Sequence, residues 1–330
     1  MNNIKLISGS SHTKLSNSIS KYLNIPLSEC ILEKFSNSEI RVEIKENIRN
    51  NDIFIIQTGG FNETNSINDY LLETLIIIDA CKRSMSNSIT LIMPNYPYAR
   101  QDKKDESRAP ISAKLIANLL ERSGIDRLVV MDLHAQQIQG FFDIPVDNIY
   151  SIKLVVNYLE ETLFKDLLLE ERRKNFVVVS PDAGGIKRAL KFAKYMKLPC
   201  IFMHKQRNYE ICNTVDSMIL VGNKNDIVGK HALVMDDICD TAGTLVKCCD
   251  VLKENGIKDI YCIITHGILS GPALDRINNC DSLTKIIVSN TLPQEENCKK
   301  CPKLDYYSVG ELMSCVIRRI TTGKSISELF

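Results

Sequence analysis

Short, almost wholly apolar runs recur along the chain, each followed by a polar or helix-compatible stretch. In the first half Ile4–Ile7, Ile40–Ile44, Ile53–Gln57, Ile89–Met93 and Leu128–Met131 read as strands, with helices over Asn68–Arg83 and Ile111–Arg122. The second half repeats the scheme. Phe176–Val179, Ile201–Met203, Ala232–Val234, Ile260–Ile264 and Lys285–Val288 read as strands, and Ile186–Met196, Gly243–Glu254 and Val309–Thr321 as helices. A strand apolar on both faces must be covered on both, so the pattern predicts an α/β fold with mostly parallel sheets flanked by helices. The runs Leu128–Asp132 and Leu233–Asp237 are both apolar and end in acid. That echo points to two similar domains meeting near residue 150, and 330 residues suffice for two cores.

Composition narrows the partners. Formal net charge is +1, which gives no bulk attraction to nucleic acid or an anionic membrane, and no apolar run approaches the length of a bilayer span. The opening MNNIKLISGS enters a strand without a signal-peptide core, so a cytoplasmic protein is expected. Twelve cysteines are scattered, several (Cys81, Cys200, Cys262) in apolar surroundings, and read as reduced thiols. Cys298 and Cys301 have metal-ligand spacing but no second pair nearby, so that stretch reads as a polar surface turn in preference to a zinc site. Thr162–Asn175 reads as an exposed helical connection.

Ligands of open α/β sheets bind at the carboxyl ends of strands, and four polar clusters fall there. In MDDICDTAGT, the backbone N–H groups of Asp240, Thr241, Ala242, Gly243 and Thr244 at a helix start can cradle a phosphate. Asp236 and Asp237 would repel that phosphate but suit vicinal hydroxyls, so the stretch describes a pentose phosphate site; one helix cap explains one aspartate, not three. In SPDAGG, Asp182 is a candidate metal ligand. In NYPYARQDKKD, Arg100 suits a clamp on nucleotide phosphates, although alternating charges also suit a solvated loop. In the run from Asp132 through His134 to Asp143 and Asp147, divalent-metal binding is plausible, against a structural histidine as the alternative.

Together DLHAQQIQGFFDIPVD, YARQDKKDESRAPISAK, SPDAGG and DDICDTAGT resemble ribose-phosphate pyrophosphokinase, most strongly its phosphate-activated, ADP-inhibited class, and the resemblance runs from SGSSH to SISELF. It implies Mg²⁺-dependent transfer of the β,γ-diphosphoryl group of ATP to the C1 hydroxyl of ribose 5-phosphate. It implies two phosphoribosyltransferase-like domains, over 1–150 and 151–312, with a tail from about 313 to 330 returning to the first. It also implies dimers building a hexamer, with the ATP site shared between chains. Carried over by position, Asp240–Thr244 hold the sugar phosphate and Asp236 and Asp237 its hydroxyls. Arg100, Gln101 and Asp105 belong to the ATP loop, and Phe35, Asn37, Ser38 and Glu39 reach adenine from the adjacent subunit. His134, also a nucleotide contact, and Asp182 contact magnesium, with Asp132, Asp143 and Asp147 as further candidates. Lys205 and Arg207 sit on a loop that closes over the transferring phosphates. The segment NYEICNT after Arg207 is less basic and longer than usual. Around the regulatory phosphate and ADP pocket Arg49, Arg108, Ser325 and Ser327 are present, but Asn47, Met85 and Gln136 stand where close relatives carry serine. A non-catalytic regulatory subunit and a phosphoribosyltransferase are the competing readings.

Overall fold

The first sheet is assembled before residue 150. Strand β1 (Ile4–Ser8) leads into α1 (Thr13–Leu23), then the hairpin β2 (Cys30–Lys34) and β3 (Ile40–Ile44). Next come β4 (Asp52–Ile56), α2 (Ile67–Arg83), β5 (Ser88–Ile92), α3 (Ser112–Ser123), β6 (Arg127–Met131), a 3-10 helix (Gln136–Phe141) and β7 (Val146–Ile149). The main sheet has the order β1-β4-β5-β6-β7 and is parallel throughout, while β2 and β3 pair antiparallel as a separate ribbon. The computed structural model describes residues 4–207, 215–221 and 227–329, with backbone alone for 205–207 and 215–218.

The second sheet follows α4 (Ile152–Glu161) and α5 (Leu169–Asn175). It comprises β8 (Phe176–Ser180), α6 (Ile186–Met196), β9 (Cys200–Arg207), β10 (Val215–Val221), β11 (His231–Cys239), α7 (Gly243–Glu254), β12 (Ile260–Gly267), α8 (Ala273–Asn278), β13 (Lys285–Ser289), α9 (Glu295–Lys300) and β14 (Leu304–Tyr307). The strand order is β10-β9-β8-β11-β12-β13-β14, parallel except for β10 on β9. Helix α10 (Gly310–Thr321) and a short 3-10 helix (Ser327–Leu329) follow.

Two compact units result: Met1–Tyr150 with Thr291–Pro293 and Ser308–Phe330, and Ser151–Asn290 with Gln294–Tyr307. In the first, α10 packs on α1, and Arg318 donates to the carbonyl of Tyr22 at 3.0 Å. One face of its central strands, with Ile53, Ile55, Ile89, Leu91, Leu128 and Val130, packs against Ile77, Ile78, Ala117 and Leu120 of the helices. The second core has the same logic, with Val177, Val179, Val234, Cys262 and Ile264 against Leu245, Cys249 and Leu252. The α/β class with parallel sheets flanked by helices is thus the one the apolar runs predict.

Three local expectations change. β11 does not stop at its acids: it continues through Asp236 and Asp237 to Cys239, because β12 still pairs with it (Asp236↔Ile264, Ile238↔His266) after its pairing with β8 has ended at Val234↔Val179. The connection over Thr162–Asn175 is exposed along most of its length, but it is anchored from within. Phe164 is fully buried, stacked edge-on against Phe176 at 4.9 Å and capped by the Arg172 guanidinium. The Cys298–Cys301 stretch is no polar surface turn, since Cys301 lies in the core and Cys298 packs against it. The described cysteines are free, and among the described residues no group of three or more His, Cys, Asp or Glu side chains is arranged to hold a metal. Among them, too, no helix is long and apolar enough to cross a membrane.

Candidate functional site

Strand β11 outlasts its neighbour β8, so Asp236 and Asp237 lie on a stretch paired on one side, at the carboxyl edge of the sheet. The Asp237 side chain is buried and its Oδ1 lies 3.2 Å from Arg188 Nη1; Asp236 Oδ1 lies 3.9 Å from the same nitrogen. The Asp237 N–H donates to Asp236 Oδ1 at 2.9 Å. Burial pushes the Asp236 carboxyl well above the usual carboxylate range, reinforced by the charge and hydrogen bonding of Asp237 and the charge of Asp182, with Arg188 acting in the opposite direction. Carboxylates crowded in this way accept hydrogen bonds readily and favour a ligand that brings hydroxyl donors or positive charge.

Helix α7 begins at Gly243 after Ala242, which adopts the left-handed conformation at φ 59° and makes no side-chain cap. The first-turn N–H groups of α7 therefore stand at a helix start suited to an anion. The loop is stitched to the segment after β12. Ile268 and Leu269 N–H donate to the Cys239 carbonyl (2.9 and 3.1 Å), Ser270 N–H to that of Asp240 (3.1 Å), and the Ser270 hydroxyl to the Asp240 carboxylate. From α8, Arg276 Nη1 donates to the Thr241 carbonyl at 2.9 Å. Neither Arg188 nor Arg276 is singled out by motif. For Arg188 a signal exists: it lies four residues before Phe192 and eight before Met196, beside the buried stripe of α6.

Asp182 belongs to the turn that opens α6. Its Oδ1 accepts the Gly185 N–H at 2.9 Å, and its carbonyl accepts the Ser180 hydroxyl at 2.7 Å. A Cβ on Gly185 would come 2.9 Å from Ser180 Oγ, so the turn is built for glycine. Lys205 and Arg207 lie on β9 by backbone, and their side chains fall outside the described residues.

In the first unit the loop after β5 is anchored by aromatics. Tyr96 is buried, donates to the Ala113 carbonyl at 2.9 Å and meets Phe142 edge-on. Tyr98 holds φ 59° and reaches Asn68, and the Gln101 carbonyl accepts from Ala113 N–H at 3.1 Å. Arg100 is exposed, and Asp105 pairs with Lys103 at 3.3 Å. Gln137 donates to Asp102 at 2.7 Å, which joins this loop to the segment carrying Asp132 and His134. Asp132 is buried at φ 39°, His134 is exposed, and the Leu133 N–H between them donates to Asn148 at 3.1 Å. Two of the acidic candidates are not brought to that edge. Asp147 pairs with Arg127, the first residue of β6, at 2.9 Å, and the Asp143 N–H donates to Glu121 near the end of α3.

Phe35, Asn37, Ser38 and Glu39 form the turn of the β2–β3 ribbon. Phe35 N–H donates to Glu39 O and Ser38 N–H to Phe35 O, both at 2.8 Å, and all four side chains are exposed. Of the regulatory candidates, Asn47, Arg49 and Met85 share one pair of loops. Asn47 accepts the Arg49 N–H at 3.1 Å, and the Asn50 N–H donates to Met85 O at 2.9 Å. Ser325 and Ser327 contact each other at 2.8 Å, beside Arg319. Arg108, at φ 68°, and Gln136 are exposed, on the loop before α3 and on the 3-10 helix.

Residues 4–124 match the family described as the N-terminal domain of ribose phosphate pyrophosphokinase, and residues 211–330 the phosphoribosyl synthetase-associated domain. Among solved structures, phosphoribosylpyrophosphate synthetase from Mycobacterium smegmatis is 39% identical over 98% of this chain and 100% of its own, with a TM-score of 0.87. The chain belongs to the phosphoribosylpyrophosphate synthetase family. It is an enzyme of the ribose-phosphate pyrophosphokinase class, with the family's fold of two phosphoribosyltransferase-like domains. Adenine phosphoribosyltransferase from Giardia lamblia also matches, at 18% identity over 48% of this chain and 78% of its own, with a TM-score of 0.28.

Proposed function

We propose that this synthetase-family chain transfers the β,γ-diphosphoryl group of ATP to the C1 hydroxyl of ribose 5-phosphate. The observation that carries the reading is the pairing, within nine consecutive residues from Asp236 to Thr244, of two carboxylates at the end of β11 and an uncapped α7 start. That run offers acceptors for ribose hydroxyls and donors for the 5-phosphate. In the reaction the C1 oxygen forms a bond to the β-phosphorus of ATP, the bond from that phosphorus to the bridging oxygen on the α-phosphate breaks, and the proton of the C1 hydroxyl is released. The products are 5-phosphoribosyl 1-pyrophosphate and AMP.

The chain's own groups orient and hold. Asp236 and Asp237 fix the ribose face, the α7 start holds the 5-phosphate, and Arg100 and Gln101 belong to the loop read as gripping ATP. Lys205 and Arg207, assigned by resemblance, offset charge on the transferring phosphates, and catalysis of this kind rests mainly on positioning and charge stabilisation. Magnesium fits the donor chemistry. It takes oxygen ligands and keeps several from phosphate and water, so one or two protein groups suffice. Asp182 brings a carboxylate near Asp236, whose own carboxyl is pushed upward by the charges of Asp237 and Asp182. His134 and Asp132 are the remaining candidates from the first unit. When bound, the ion would neutralise phosphate oxygens. A hexamer of dimers, with the hairpin turn at Phe35–Glu39 completing a neighbour's ATP site, belongs to the same reading, as do phosphate and ADP as effectors.

The deciding experiment measures AMP formed from ATP by the purified chain. AMP that requires both ribose 5-phosphate and Mg²⁺ supports the reading. Consumption of phosphoribosyl pyrophosphate with a free base would make the chain a phosphoribosyltransferase. Activity in neither assay would favour the regulatory-subunit reading.

A further inference from the structure

Successive side chains of a strand leave from opposite faces, so two consecutive acids do not converge on their own. On β11 they do. Arg188 Nη1 lies 3.2 Å from Asp237 Oδ1 and 3.9 Å from Asp236 Oδ1, and Asp236 Oδ1 also accepts the Asp237 N–H at 2.9 Å. The pair is gathered about one nitrogen of a guanidinium that comes from another element, α6.

Like charges on adjacent residues repel. The charges of Asp237 and Asp182 both bear on Asp236, and that of Arg188 opposes them. Without the guanidinium, the easiest response of two carboxylates is to rotate apart. A cis diol asks the reverse, two acceptors held side by side. The helix that carries Arg188 keeps it in place. It opens on the turn in which Asp182 accepts the Gly185 N–H, and it is seated by the buried Ala189, Phe192, Ala193 and Met196. Arg188 is half-buried there, whereas Lys187, Lys191 and Lys194 of the same helix are exposed. Its planar fork of donors also suits a carboxylate better than a flexible ammonium does.

We propose that Arg188 is a positioning and specificity-determining residue for the pentose: from α6 it holds the Asp236 and Asp237 carboxylates together, so that they accept both vicinal hydroxyls of ribose. This role rests on the reading of Asp236 and Asp237 as the acceptors of those hydroxyls. Steady-state kinetics of the full-length protein test it, with 2-deoxyribose 5-phosphate, which lacks one of the two hydroxyls, as a competing ligand. Arg188→Ala is expected to raise KM for ribose 5-phosphate by roughly 10–100-fold, the range for a lost hydrogen bond to a charged group, and to leave KM for ATP within about twofold. The inhibition constant of the deoxy sugar should rise less. The preference for ribose, read as the ratio of that constant to KM for ribose 5-phosphate, then falls by about tenfold. An arginine that served only to stabilise β11 would weaken both sugars alike and leave the ratio where it was. Arg188→Lys, which keeps the charge on a flexible stem, should recover part of the preference. If Arg188→Ala does not fold, Arg188→Gln takes its place with the same expected loss of preference.

An unchanged KM for ribose 5-phosphate in Arg188→Ala, an equal rise in KM for ribose 5-phosphate and for ATP, or a rise that leaves the preference for ribose intact overturns the role. Asp236→Asn is the parallel control on the underlying reading. A raised KM for ribose 5-phosphate in Asp236→Asn beside a normal one in Arg188→Ala sinks the role of Arg188 and leaves the ribose reading standing. No effect of either variant removes both.

Discussion

Asp236 lies in the folded state with its carboxyl pushed upward by burial, by Asp237 and by Asp182. The unfolded chain titrates it near the ordinary aspartate value of about 3.9. Between that value and the raised one the folded state binds more protons than the unfolded state, so the contribution of Asp236 to stability is present at low pH and falls as pH rises through the window. Asp236→Asn keeps an acceptor for the Asp237 N–H and cannot ionise. In buffer with chelator and without substrate, it is expected to raise Tm at pH 8 by more than at pH 5. A gain that is equal at both pH values, or larger at pH 5, would contradict the crowded pair. The same variant should weaken ribose 5-phosphate binding, since an amide accepts ribose hydroxyls less strongly than a carboxylate. Lys205 is assigned to the transferring phosphates instead, so Lys205→Ala should lower kcat by roughly 10²–10⁴-fold with little change in affinity for ribose 5-phosphate. Near-normal turnover with weakened sugar binding would reverse that assignment.

At the scale of elements, legibility follows burial. Strands β4, β5 and β6 are buried on both faces and read directly from their apolar runs. Helix α1 is hidden by composition: its TKLSNSISKYL is rich in serine and asparagine, and the helix is held by His12 at its start and by burial of Leu15, Ser16 and Ile19. The β2 strand is half-buried at best and exposes its last two residues, so it lacks the apolar signature. The continuation of β11 past its acids depends on β12, a partner that no local pattern reveals. The candidate site divides in the same way. The run Asp236–Thr244 is contiguous and legible, whereas Arg188, Ser270 and Arg276 reach it from α6, from the loop after β12 and from α8, and only folding brings them there. The paired loops around Asn47 and Met85 carry an element-scale prediction. Asn47 spends its side-chain oxygen on the Arg49 N–H, and Met85 offers no hydrogen-bond donor at an exposed position. Loss of one or two neutral hydrogen bonds, each about 0.5–1.5 kcal/mol, should weaken phosphate activation roughly 2- to 100-fold relative to a pocket lined with serine, and blunt inhibition by ADP there. A phosphate titration of activity before and after Met85→Ser, and after serine at 47, 85 and 136 together, checks it. Strong activation at low phosphate in the unmodified protein, unmoved by either replacement, would refute it.

For the whole molecule, the question is where the exposed turn of the β2–β3 ribbon goes. Phe35 is 52% exposed at its tip, flanked by Asn37, Ser38 and Glu39, also in solvent. A large aromatic displayed with polar neighbours on a short ribbon gains little within its own unit and would gain from contact with another chain. If each ATP site joins the turn of one chain to Lys205 of another, activity must fall on dilution as subunits separate. The shared site also has an arithmetic signature. An Asn37→Ala chain still supplies an intact Lys205, and a Lys205→Ala chain still supplies an intact turn. When the two exchange freely in equal amounts, a site takes its turn from a Lys205→Ala chain and its lysine from an Asn37→Ala chain in about a quarter of cases, so activity should recover to about a quarter of the unmodified level. Recovery should follow the time course of subunit exchange, measured by mass on isotopically labelled chains. Complete exchange with no recovery would mean that each chain builds its ATP site alone.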